Sequence, residues 1–162
     1  MPNHRFAFSR RQLLAGIAAT IALPSMGSTP ARVPVQVWKD PNCGCCHDWI
    51  RHMEANGFQV TVHDEGNNAA RARLGLPNRL ASCHTALVGS YLLEGHVPAR
   101  DVMKLLEQKP KAMGLAVPGM PVGSPGMDGP EYGGRKDPYD VLLVTRNLMN
   151  SDVSTRVFTS YR

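Results

Sequence analysis

The sequence has no apolar run of about 18 residues, the shortest stretch that crosses a bilayer as a helix. Beyond residue 31 it also has no Lys/Arg run, no helix-turn-helix pattern and no zinc-finger spacing, so nothing there supports nucleic-acid binding. Apolar residues are not scarce overall. A content of 43% hydrophobic against 19% charged argues against intrinsic disorder, and 162 residues suit one domain with its own core.

The formal charge of +5 has a local origin. Arg5, Arg10 and Arg11 precede an apolar stretch from Leu13 to Leu23, followed by Pro24, Ser25 and small residues as far as Ala31. A charged start, a short apolar middle and a small-residue exit predict a secretory signal peptide over residues 1–31, too short in its apolar part for a membrane anchor. Ser9-Arg10-Arg11-Gln12-Leu13-Leu14 is similar to a twin-arginine signal, which carries folded chains to the periplasm. Cleavage would remove three of 18 basic residues and none of the 13 acidic ones, lowering the charge from +5 to +2. The expected mature protein, 32–162, is neither markedly basic nor bound to a membrane.

Within 32–162, Val33, Val35 and Val37 alternate as in a strand, and Asp40-Pro41-Asn42 is turn chemistry. A helix is predicted from His47 to Asn56, with Trp49, Ile50 and Met53 on one face and Gly57 as its stop. Phe58 to Val62 alternates again, and a short helix is expected over Asn68 to Leu74. Thr85–Val88 and Tyr91–Leu93 read as an antiparallel pair turning at Gly89-Ser90, and Pro98 opens a helix that ends before Pro110. This order predicts an α/β fold with a mixed sheet and flanking helices, laid out like thioredoxin. From Gly114 to Gly134 the chain holds seven Gly and four Pro, with Met120 and Met127 among them. That composition disfavours helix and central strand and predicts an ordered Gly/Pro/Met-rich loop lying across the body, a C-terminal extension closed by strands at Asp140–Val144 and Thr155–Phe158.

Chemistry concentrates in the four cysteines, Cys43, Cys45, Cys46 and Cys83. An even number in an exported chain suggests a disulfide framework. Three thiols within four residues, however, close only tiny rings and add little to the unfolded-state constraint on which stapling depends. At a helix N-terminus the same crowding favours thiolates. Cys43 and Cys46 have the spacing of a thiol–disulfide oxidoreductase, whereas Cys45 inside that motif fits metal binding better. Soft thiolates select Cu(I), zinc or iron–sulfur clusters, and adjacent Cys45 and Cys46 are better placed to bridge several Cu(I) ions than to enclose one Zn(II). In a thioredoxin-like layout Ser82-Cys83-His84-Thr85 occupies the turn beside the Cys43–Cys46 motif, which brings Cys83 to the other three.

Four segments extend this reading: Lys39-Asp40-Pro41-Asn42-Cys43-Gly44-Cys45-Cys46, the Ser82–Thr85 turn, Glu94-Gly95-His96-Val97-Pro98, and the Gly114–Met127 stretch. With them the chain, from about Val35 to Tyr161, resembles the CopG-type periplasmic copper-resistance proteins. The resemblance implies a thioredoxin-like fold whose Cys43, Cys45, Cys46 and Cys83 hold a polynuclear Cu(I) cluster, and a role in copper tolerance that includes interconverting Cu(I) and Cu(II), as a candidate copper oxidoreductase. Candidate partners are copper ions and periplasmic chaperone, oxidase or efflux components. Met120, Met127, His47 and His84 are candidate additional ligands; His52, His63 and His96 are assigned no chemistry.

Overall fold

In the computed structural model, residues 31–162 are described, apart from 148 and 150. The expected export signal lies outside the described residues except for Ala31. The described residues form seven strands: β1 (Val33–Lys39), β2 (Phe58–His63), β3 (His84–Val88), β4 (Tyr91–Glu94), β5 (Gly114–Ala116), β6 (Tyr139–Arg146) and β7 (Val153–Tyr161). They are accompanied by helices α1 (Gly44–Ala55), α2 (Asn68–Arg73) and α3 (Ala99–Gln108). The strands form one mixed sheet in the order β2-β1-β3-β4-β5-β6-β7, with β1/β2 and β4/β5 parallel and the other pairs antiparallel. The expected α/β class with a mixed sheet is observed. Among the described residues no helix is long and apolar enough to cross a membrane.

The alternation of strand side chains sorts the core into two layers. Leu93, Leu115 and Leu143 pack with Trp49 and Met53 of α1 and Val102 and Leu105 of α3. Their sequence neighbours Leu92, Ala116 and Val144 point the other way, onto Leu76 and Leu80 after α2. Both helices of the larger layer connect parallel strands, as a parallel crossover requires. Cys46, Trp49, Ile50 and Met53 make the buried stripe of α1 at the spacing of one helical face.

Two boundaries differ from expectation. Helix α1 starts at Gly44, three residues before the predicted His47, with Cys43 as its N-cap residue. Cys45 and Cys46 therefore lie inside its first turn. The segment 114–134, read as excluding a central strand, begins with one: β5 pairs with β4 on one side and β6 on the other. Glycine composition misleads here because the close approach itself demands it. A Cβ on Gly114 would fall 1.8 Å from the Leu92 carbonyl oxygen, so this strand can start only with glycine. Beyond β5 the segment is irregular apart from a 3-10 turn at Pro130–Tyr132.

Candidate metal centre

The site forms where the first turn of α1 meets the start of β3 and the end of β4. The β3/β4 register pairs Thr85 with Glu94, so the residues just before β3 face those just after β4. Cys83 thereby meets His96: its Sγ lies 3.0 Å from His96 Nε2 and 3.3 Å from His84 Nδ1. On the helix side Cys83 Sγ is 3.9 Å from Cys45 Sγ, which is 3.6 Å from Cys43 Sγ. Cys43 and Cys46 are joined by a disulfide, and Cys46 Sγ sits 3.7 Å from the Cys83 carbonyl oxygen. Two donor groups result, Cys43/Cys45/Cys46/Cys83 and Cys83/His84/His96, and Cys83 belongs to both.

The His96 ring is oriented by its other nitrogen. His96 Nδ1–H donates to the Pro125 carbonyl at 2.8 Å, which leaves the Nε2 lone pair facing Cys83. His84 is fully buried and tilted against Trp49, and its Nε2 has no hydrogen-bond partner among the described residues. An orphaned buried nitrogen is costly, and this one is distinct from the Nδ1 that faces Cys83. Burial, aided by the neighbouring Cys45 thiol, pushes the Cys83 thiol up to about 12. Burial also holds both His84 and His96 below the usual histidine range. These directions favour a Cys83 thiol beside neutral imidazole rings.

Behind Cys83 stands a buried polar network. Glu94, with no exposed surface, accepts from Ser82 N–H at 2.7 Å, Thr85 Oγ1 at 2.6 Å and Arg71 Nε at 3.0 Å. Asn67 Nδ2 donates to the Ser82 carbonyl and to Thr85 Oγ1. Burial raises the Glu94 carboxyl, while Thr85, Ser82 N–H and Arg71 pull it back toward the ionised form. The network clamps the residues on either side of Cys83 and so fixes where its sulfur can reach.

The irregular segment straps the centre from the α1 side. A Cβ on Gly126, whose φ is +84°, would lie 2.6 Å from the Cys45 carbonyl oxygen and 2.7 Å from Trp49 N. Only glycine permits that contact. Gly126→Ala is expected to lift the strap from α1 and cost about 1–3 kcal/mol, read from urea unfolding followed by tryptophan fluorescence; an unchanged midpoint would refute the contact's importance.

Of the candidate ligands, His84 reaches the cluster, whereas His47 is exposed on the first turn of α1. Met127 is buried, its sulfur accepting from Tyr132 Oη at 3.3 Å, and Met120 is half exposed. His96 is the residue that sequence reasoning missed. His52, also assigned nothing, accepts the Ala99 N–H at 3.0 Å and so caps α3; burial lowers its pKa too. His52, His84 and His96 all titrate lower when folded, so their neutral forms contribute stability that is complete above the unfolded value of about 6.5 and lost as pH falls below it. Metal-free protein is therefore expected to melt at a lower temperature at about pH 5 than at about pH 7.5; equal melting temperatures by circular dichroism would contradict this.

Comparison with known proteins places this geometry. The family model described as a protein of unknown function, DUF411, matches residues 80–127, which run from the Cys83 turn through the strap. No curated protein matches the chain. Two solved structures, forms 2 and 1 of a copper resistance protein CopG, are similar at 45% identity and a TM-score of 0.70. The matches cover 81% and 80% of this chain and 99% and 98% of those chains. With that identity over four fifths of its length, the chain belongs to the CopG copper-resistance family.

Proposed function

We propose that residues 1–31 export this chain to the periplasm and that 32–162 form a thioredoxin-like domain that binds copper for copper resistance. In its reduced state the four cysteines hold a polynuclear Cu(I) cluster, which the protein cycles with Cu(II) and exchanges with periplasmic chaperone, oxidase or efflux components. The observation that carries the reading is the position of Cys83 Sγ, 3.9 Å from Cys45 Sγ and 3.0 Å from His96 Nε2. A thiolate between two donor groups is placed to bridge metal ions, and sulfur with imidazole suits Cu(I) better than hard cations. His96, oriented by Pro125, adds nitrogen to the sulfur set.

The test is a Cu(I) titration of the fully reduced protein against a competing chelator, with each cysteine changed to serine in turn. More than one tightly held copper per chain, with losses at every cysteine, supports the cluster; a single ion indifferent to Cys83 would overturn it. The Cys43–Cys46 disulfide also favours a second reading, a general thiol–disulfide oxidoreductase. That enzyme would reduce insulin disulfides without metal, an activity the copper reading does not expect.

A further inference from the structure

The disulfide divides the four cysteines by role. Cys43 and Cys46 are bonded, while Cys45 and Cys83 are free although their sulfurs lie 3.9 Å apart. Closing this bond removes two donors but leaves a second set in place, because Cys83, His84 and His96 keep their ligand atoms within 4.8 Å of one another. The two bonded residues also differ in exposure. Cys46 has no exposed surface, and its sulfur lies against the Cys83 carbonyl; Cys43 is partly exposed at the N-cap.

We propose that the Cys43/Cys46 pair is the electron store of the copper site: its dithiol reduces two Cu(II) ions to Cu(I), and a protein dithiol recharges the resulting disulfide through Cys43. This rests on the copper reading above and names its source of electrons and its partner. In the first step both S–H bonds break and the Cys43–Cys46 S–S bond forms. Each Cu(II) takes one of the two electrons, and two protons are released. Cys45, Cys83 and the two imidazoles remain to hold Cu(I), for which a thiolate and neutral nitrogen are suitable donors.

In the recharging step a thiolate of the donor dithiol attacks the sulfur of Cys43, the more exposed of the two residues. The Cys43–Cys46 bond breaks, and Cys46 leaves as a thiolate at the third position of α1, where free backbone N–H groups stabilise it before it takes up a proton. The donor's second thiol then attacks its own sulfur in the mixed disulfide and releases Cys43 as a thiol. The donor ends as a disulfide, and the protein regains both thiols.

The experiment starts from the full chain, reduced, freed of reductant and kept anaerobic. Cupric chloride is added in steps while the Cu(II) electron paramagnetic resonance signal is followed, and disulfides are mapped by peptide mass spectrometry after chelation and thiol blocking. Expected are silent spectra for the first two equivalents and one Cys43–Cys46 disulfide per two copper ions. The disulfide form should leave added Cu(II) visible. A dithiol protein of thioredoxin type, with its second cysteine changed to serine, should then be trapped as a mixed disulfide on Cys43.

Loss of the Cu(II) signal with all four thiols still free, a bond mapped instead to Cys45–Cys83, or an adduct on any cysteine but Cys43 overturns the proposal. If copper is retained while the thiols stay unoxidised, the electron store is refuted and copper binding stands. If Cu(II) is reduced with the mapped stoichiometry but no copper remains after gel filtration, the store stands and the binding reading fails.

Discussion

Cys83→Ser is expected to release more copper than replacement of any other single cysteine, with affinity falling at least about 100-fold. That bound takes the 10–100-fold cost of losing a group behind a ligand as the minimum for a ligand itself. Cys83 is the one residue common to both donor groups, so its loss separates the α1 thiols from the histidines. Cys43→Ser removes a donor from one group only. Serine is close in size to cysteine, and Cys83 is only partly buried, so the fold should survive the change. Equilibrium dialysis of the reduced variants against a Cu(I) chelator, beside a thermal melt of each, separates lost binding from lost structure. Equal affinities for Cys83→Ser and Cys43→Ser would show that Cys83 does not join the two groups.

Glu94→Ala should be the most damaging single change to stability. It removes the carboxylate partner of the buried Arg71 guanidinium, which keeps only its bond to the Ser82 carbonyl, and leaves the Ser82 N–H and the Thr85 hydroxyl without their acceptor. Breaking a buried ion pair by removing one partner costs about 3–5 kcal/mol. For a domain of this size that corresponds to a fall of roughly 10–20 °C in melting temperature. Glu94→Gln keeps an acceptor oxygen and should cost less. Because the clamp holds Ser82 and Thr85, copper retention should weaken along the same series even below the melting temperature of each variant. A loss under about 1 kcal/mol for the alanine variant would mean that Arg71 finds another acceptor and that the clamp is dispensable.

Much of this centre was legible in the chain. The turn at Gly89-Ser90 defines the β3/β4 register, and counting back along both strands from that turn sets Cys83 opposite His96. The register was available from sequence; His96 was passed over because an isolated histidine after a strand carries no signal of its own. What turns its Nε2 toward Cys83 is Pro125, 29 residues away, whose carbonyl accepts from Nδ1. Contacts of that kind depend on how the strap packs, which composition cannot report. The strand at Gly114 was hidden for a related reason: glycine there reflects a backbone approach, while in sequence it reads as loop. The Glu94 clamp is equally opaque, since Asn67, Arg71 and Glu94 acquire their partners only when α2 folds against the Cys83 turn. The Cys43–Cys46 spacing was visible at once. That Cys43 and Cys46 are bonded while Cys45 and Cys83 stay free was not, because the spacing alone leaves the pairing of the four thiols open.

The most direct measurement of the copper centre is X-ray absorption at the copper edge on the reduced, copper-loaded protein. Expected are a Cu(I) edge, a first shell dominated by sulfur with a smaller nitrogen contribution that falls in His96→Ala, and a copper–copper scattering path from thiolate bridging. A first shell of nitrogen and oxygen alone, or sulfur ligation with no copper–copper path, would contradict a bridged cluster built on Cys83.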